Sequence, residues 1–86
     1  MKAKTDTWLF DAYKIMNRVT AILETKYPII QGAMQYVADG KLAAAVSEAG
    51  GLGVVAAGGI SSEELITEIN IVRKLTPKPF AVNLNL

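Results

Sequence analysis

Three short apolar runs alternate with two amphipathic stretches of helix length, and no other feature constrains the chain as much. The runs lie at residues 27–32, 52–57 and 79–86. Strands joined through crossover helices run parallel, and such crossovers are right-handed almost without exception. A strand order of 1-2-3 then places both crossover helices on one face of the sheet. Only a helix preceding the first strand is left to cover the other face. The expected fold is α/β, built as βαβαβ behind an N-terminal amphipathic helix.

Local signals set the boundaries. Over residues 7–24, Leu9, Ala12, Met16, Val19 and Leu23 recur at helical steps, Tyr13 and Ile22 widen the stripe, and Asp6 or Thr7 caps the start. Pro28 suits the first residue of a strand, where no ladder donor is needed, and Gly32 ends that strand. Asp39 caps a helix over 40–49 with Leu42, Val46 and Ala49 on one face, and Gly50 supplies the left-handed residue after it. Residues 52–57 form an unbroken apolar run, the pattern of a strand covered on both faces. Gly58 and Gly59 turn the chain. Ser61 and Glu64 form a capping box, and Ile60 with Leu65 a hydrophobic staple. Leu65, Ile69, Val72 and Leu75 form the buried face of that helix, Arg73 and Lys74 suit its C-terminal dipole, and Pro77 stops it. In the last run Phe80, Val82, Leu84 and Leu86 alternate with Ala81, Asn83 and Asn85. The expected division is 1–25, an extension with its helix, and 26–86, the α/β portion.

Composition excludes several kinds of chemistry. The chain has no cysteine and no histidine. It can form neither disulfides nor thiolate nucleophiles, and neither Ser-His nor Cys-His pairs, nor imidazole metal sites. Nine basic residues against eight acidic leave a net charge of +1, which is no footprint for nucleic acid. The longest uncharged stretch, residues 49–62, is too short and too rich in glycine to span a bilayer. Asp6 and Asp11 interrupt the N-terminus where a signal peptide needs an apolar core. A cytoplasmic protein is expected. With 86 residues the core only about breaks even against ordering entropy. The chain also ends on a strand. It therefore reads as part of a larger α/β protein, or as a protomer completed by self-association.

The candidate ligand residues follow from one rule: parallel α/β sheets bind ligands at the C-terminal ends of their strands. Gly32, Ala33 and Met34 follow the first strand. Small residues there admit a flat ligand, and a thioether packs well on an aromatic ring. The other reading is a plain βα loop with methionine filling core. Asn83 and Asn85 share one side of the last strand, either pairing with the polar edge of a heterocycle or simply solvated. Gly58 and Gly59, with Gln31 and Tyr36, are weaker candidates. Gly51-x-Gly53-x-x-Ala56 has the form of a dinucleotide fingerprint, but it enters a strand instead of leaving one, so it reads as a tight turn. Glu63, Glu64 and Glu68 lie on a solvated helix face and carry no catalysis.

Lys26-Tyr27-Pro28-Ile29-Ile30-Gln31-Gly32-Ala33-Met34 resembles the opening of the FMN-dependent enoyl-ACP reductase II and nitronate monooxygenase (2-nitropropane dioxygenase) family. Val37-Ala38-Asp39-Gly40, then Leu42 through Gly53, then Leu75-Thr76-x-Lys78-Pro79-Phe80-x-Val82-Asn83 continue the match in order. The resemblance implies a TIM (β/α)8 barrel with FMN at its C-terminal face, of which this chain is the N-terminal portion. It implies that Gly32, Ala33 and Met34 lie along the isoalloxazine ring, and that Asn83 hydrogen-bonds the flavin or its ribityl chain. In the reductases NAD(P)H reduces FMN, which reduces an enoyl thioester in fatty acid biosynthesis. In the monooxygenases reduced flavin meets oxygen and a nitronate. Gln31-Gly32-Ala33-Met34 leans toward the reductase form, whereas Asn85 and Leu86 depart from it. A complete barrel takes about 250 residues and eight strands. The family's phosphate-binding loops and catalytic histidine fall later than the matched stretch. No catalytic residue or metal ligand is assigned here, and the chain alone is expected to be inactive, either awaiting the rest of a barrel or associating with itself.

Overall fold

The computed structural model describes residues 17–85. The elements are helix α1 (Arg18–Leu23), helix α2 (Gly40–Ala49), strand β1 (Gly53–Ala56), helix α3 (Ser62–Leu75) and strand β2 (Phe80–Asn83). β1 and β2 pair in parallel from Gly53↔Phe80 to Ala56↔Asn83. The first apolar run joins the other edge of β1 through one parallel bridge, Ile30↔Leu52. There the Gln31 N–H donates to the Leu52 carbonyl at 3.0 Å, and the Leu52 N–H to the Ile29 carbonyl at 2.8 Å. The order is 1-2-3 with β1 in the middle, as the alternating pattern predicts.

Both outer segments are shorter than expected. The strand over 27–32 contracts to its single bridge. Pro28 has no N–H to donate, and beyond Ile30 the Gln31 side chain replaces the backbone as the partner of Val54. The strand over 79–86 stops at Asn83, because β1 stops opposite it. The last bond of this ladder runs from the Ala57 N–H to the Asn83 carbonyl at 3.1 Å.

α2 begins where Asp39 Oδ1 accepts the Leu42 N–H at 2.9 Å and ends at Gly50 with φ 110°. Its buried residues are Gly40, Ala43, Ala44 and Ser47. The expected face of Leu42, Val46 and Ala49 is only partly buried or exposed. The cause is the closeness of helix and strand. A Cβ on Gly53 would overlap the Ala43 carbonyl, and at that separation a helix can bury only side chains without bulk.

α3 starts with the capping box: Glu64 N–H donates to Ser61 Oγ, and Ser61 N–H to Glu64 Oε1, each at 3.1 Å. It ends at Thr76, held extended before Pro77. Val72 is fully buried, Leu65 and Ile69 are half-buried, and Leu75, expected in the core, is 54% exposed. Ala43, Ala44, Val55 and Val72 form the core, with Leu65, Phe80 and Val82 packed against it. Every residue of β1 is buried, as its unbroken apolar run predicts.

At the N-terminal end of the sheet, polar bonds replace apolar contact. Ser47 Oγ donates to the Pro79 carbonyl at 2.7 Å and accepts the Gly53 N–H at 3.0 Å, tying α2 to the start of both strands. The Thr76 hydroxyl donates to Glu48 Oε2. Thr76 Oγ1 also accepts the Lys78 N–H at 3.1 Å.

α1 differs from the sequence reading in its start. Asn17 is extended (φ −107°), and its side chain accepts the N–H groups of Val19 and Thr20. The helix therefore begins at Arg18 instead of passing through this point from residue 7. Thr20 is its buried residue, whereas Val19 and Ile22 are 43% and 78% exposed. In six residues the backbone-capped side packs inward, and the Thr20 hydroxyl is satisfied by the Asn17 carbonyl at 3.0 Å. Asp6, Thr7, Leu9, Ala12, Tyr13, Met16 and Leu86 lie outside the described residues. No helix among the described residues is long and apolar enough to cross a membrane.

Candidate functional site

Parallel strands of one sheet present their C-terminal ends along one edge, and three loops meet there. Residues 32–36 leave the first segment, 57–60 leave β1, and 84–85 leave β2. Their convergence is visible around two glycines. A Cβ on Gly58 would sit 3.6 Å from Asn85 Nδ2 and 4.0 Å from the Gln35 amide carbon. Gly59 has φ 80°, and a Cβ there would overlap the Gln35 amide and lie 2.6 Å from the Tyr36 hydroxyl. Gly59 therefore answers a folding need through its conformation, which favours glycine, while the side-chain ends beside it would have to shift to admit a Cβ.

Gly32 is different. Nothing lies within 4 Å of the place its Cβ would take, and its φ is outside the left-handed region. Neither backbone nor packing requires glycine at this position. Ala33 is exposed beside it, and Met34 is 43% exposed. The Met34 carbonyl accepts the N–H groups of Val37 (3.0 Å) and Ala38 (2.7 Å), which closes the loop. The Met34 side chain is not part of the core of the described residues.

Asn83 is exposed at the end of β2. Its neighbours in alternation, Phe80 and Val82, pack on the helix-side core. By the two-residue period, Asn83 stands with Ala81 on the opposite face. Among the described residues its side-chain amide makes no hydrogen bond. Asn85 lies past the strand end, against Gly58, so the pairing of two asparagines on one ladder does not form.

Tyr36 holds φ 65°, unusual for a bulky residue. Beside it lies a cleft of about 170 Å³ lined by Ala38, Asp39, Ala56, Ile60, Glu64 and Glu68. Its carboxylates are committed to helix ends: Asp39 to Leu42, Glu64 to Ser61, and Glu68 Oε1 to the Gly40 N–H at 2.7 Å. Glu64 is exposed and closes the capping box as expected, whereas the expectation that Glu68 is merely solvated is corrected, since it is half-buried and accepts the Gly40 N–H. Gly51 and Gly53 serve packing: a Cβ on Gly51 would lie 3.0 Å from the Ile29 carbonyl, and Gly53 faces Ala43. Among the described residues no cluster of three or more acidic, His or Cys side chains could hold a metal ion.

The edge thus gathers Gly32, Ala33 and Met34 from one loop, Gly58 and Gly59 from the next, and Asn83 from the third strand. Gln35 belongs with them and was not singled out from sequence, because a lone glutamine in a turn carries no spacing signal. Gln31 turns out to matter through its hydrogen bonds, which periodicity does not report.

A parallel 1-2-3 sheet with both crossover helices on one face is the arrangement expected of the N-terminal portion of a TIM barrel, here preceded by a short helix. Similarity to a solved structure supports that assignment. The family model "Nitronate monooxygenase" matches residues 16–86. The chain belongs to the nitronate monooxygenase family. It is 49% identical over 71 residues to a probable nitronate monooxygenase of Staphylococcus saprophyticus, covering 83% of this chain and 20% of the relative. It is 46% identical over 67 residues to a probable nitronate monooxygenase of Staphylococcus aureus, covering 78% of this chain and 19% of that one. Among solved structures it is similar to FabK from Thermotoga maritima, with TM-score 0.76 and 46% identity over 78% of this chain and 22% of that chain. The chain spans about a fifth of the length of the curated relatives it matches. These homologues are oxidoreductases.

Proposed function

We propose that this chain supplies the ring-side part of an FMN site in an oxidoreductase of the enoyl-ACP reductase II type. The observation that carries the reading is Gly32, a glycine that the fold does not need, at the strand end where a flat ligand would lie closest to the backbone. Gly32 and Ala33 offer a low surface for the isoalloxazine ring, and Met34 a polarisable thioether at its margin. The Asn83 amide offers one donor and one acceptor side by side, which matches the polar edge of the ring or the ribityl hydroxyls. These residues bind and orient; none of them is assigned a proton transfer. FMN, when bound, supplies the hydride relay between NAD(P)H and an enoyl thioester. The groups that hold its phosphate belong to later parts of the family's barrel, so binding, not turnover, is the property read from these residues. A cytoplasmic setting is part of the reading and fits a chain without cysteine.

A second reading, oxidation of nitronates with FMN and oxygen, is favoured by the family model and by the names of the curated relatives. The reductase is preferred on Gln31-Gly32-Ala33-Met34 and on the similarity to FabK.

The test is a titration of FMN with the chain, followed by quenching of flavin fluorescence and by the shape of the visible absorption band. A saturable one-to-one transition is expected. An unchanged spectrum at saturating protein would contradict the proposal. In a flavin-loaded complete barrel that carries this segment, NADPH consumption that depends on a short enoyl thioester supports the reductase reading. Oxygen consumption that depends on a nitronate supports the second.

A further inference from the structure

Past the Ile30↔Leu52 bridge, a regular parallel ladder would continue in one way only. The Val54 N–H would donate to the Gln31 carbonyl, and the Val54 carbonyl would accept the Ala33 N–H. Neither bond forms. The Val54 N–H donates to Gln31 Oε1 at 3.0 Å, and Gln31 Nε2 donates to the Val54 carbonyl at 3.1 Å. A primary amide carries an acceptor and a donor side by side, the same pair that a strand backbone presents. The side chain therefore completes the ladder in place of two backbone groups.

The consequence falls on the next residues. With Val54 satisfied, residues 32 and 33 leave the sheet, and among the described residues neither Gly32 nor Ala33 makes a backbone hydrogen bond. Their root stays fixed, because the Gln31 N–H remains on the Leu52 carbonyl at 3.0 Å. The other end is fixed by the turn at Met34. We infer that Gln31 is a positioning residue: its amide substitutes for the backbone on Val54 and so releases the Gly32 and Ala33 N–H groups, held in a defined place, to hydrogen-bond acceptor atoms of a planar heterocycle. This rests on the flavin reading above and adds to it the residue that shapes the loop.

Two variants test it in the full chain. Gln31→Met keeps length and loses both hydrogen bonds. Gln31→Glu keeps the acceptor for the Val54 N–H but sets a charged oxygen against the Val54 carbonyl, until acid protonates it and restores a donor. In Gln31→Met the Val54 amide is expected to exchange its hydrogen about tenfold faster or more, and FMN affinity to fall about tenfold. In Gln31→Glu both properties are expected to recover toward the parent as pH falls, each compared with the parent at the same pH. A general loss of stability would recover with the same protonation, so thermal unfolding of parent and variant at each pH is the control. Val54 exchange and FMN affinity are expected to recover beyond what the change in unfolding temperature accounts for. Parent-like Val54 exchange in Gln31→Met, or parent-like FMN affinity beside accelerated exchange, would overturn the inference. A Gln31→Glu variant with no pH-dependent recovery would also overturn it. Failure of the parent to take up FMN would instead overturn the flavin reading, and Val54 exchange would still decide whether Gln31 anchors the loop.

Discussion

The backbone of Gly53 lies directly against the carbonyl of Ala43, with no room for a side chain between them: a Cβ on Gly53 would overlap the Ala43 oxygen and sit 2.8 Å from its Cα. Helix α2 can meet the central strand this closely because it presents the small residues Ala43, Ala44 and Ser47 there, while Gly40 leaves room for Glu68 and Ile71 of α3. The obstacle at Gly53 is backbone, which cannot rotate away as a side chain can. Gly53→Ala is expected to destabilise the fold by about 3 kcal/mol or more. Chemical denaturation followed by far-UV circular dichroism checks this. A loss below about 1 kcal/mol would mean that the helix is free to move off the sheet.

Ser47 fixes the same contact from its other side. Its hydroxyl is the partner of both the Gly53 N–H and the Pro79 carbonyl, and Ser47 is 1% exposed. Ser47→Ala leaves a buried N–H unpaired and is expected to cost about 2 kcal/mol. Ser47→Thr retains the hydroxyl but adds a methyl in a packed place, and an intermediate loss is expected. Equal stability of parent and Ser47→Ala would show that the hydroxyl bridge contributes nothing net.

Glu68 reaches from α3 to the first turn of α2, where its carboxylate accepts the Gly40 N–H at 2.7 Å. The bond joins the two crossover helices and satisfies one of the orphan donors of a helix start. Glu68→Ala is expected to lower stability by about 1 kcal/mol. Glu68→Gln, which keeps an acceptor, should lose less. Thermal unfolding of the three proteins in one buffer decides this, and an equal loss in both variants would count against a capping role.

The main architecture was legible because its signals are local. Asp39, Gly50 and the Ser61–Glu64 box sit where the helix ends are found, and the unbroken apolar run marked β1 as the buried central strand. The buried face of α2 was misread because hydrophobic periodicity selects large residues, here Leu42 and Val46, while close approach to Gly53 selects small ones. The first strand was read too long because its continuation depends on a glutamine side chain that mimics backbone, and no residue pattern distinguishes that from an ordinary ladder. In the same way Glu68 looked solvated from its helix face alone; its partner Gly40 is 28 positions away. The candidate site was legible only as a set of strand ends. Which glycines serve the fold and which leave space became clear from the contrast between Gly59, held at φ 80°, and Gly32, outside the left-handed region and with nothing nearby.

Gly32 also supplies the most direct test of the central claim, that the open strand end is kept clear for a flavin ring. Gly32→Val puts a branched side chain into that space, on a Cβ that has nothing within 4 Å. FMN titrations of the parent and of Gly32→Val should be compared, with thermal unfolding of both as the control. The expected result is an unchanged unfolding temperature and FMN binding at least about tenfold weaker. Equal FMN affinity in the two proteins, or no FMN binding by the parent, would contradict the account.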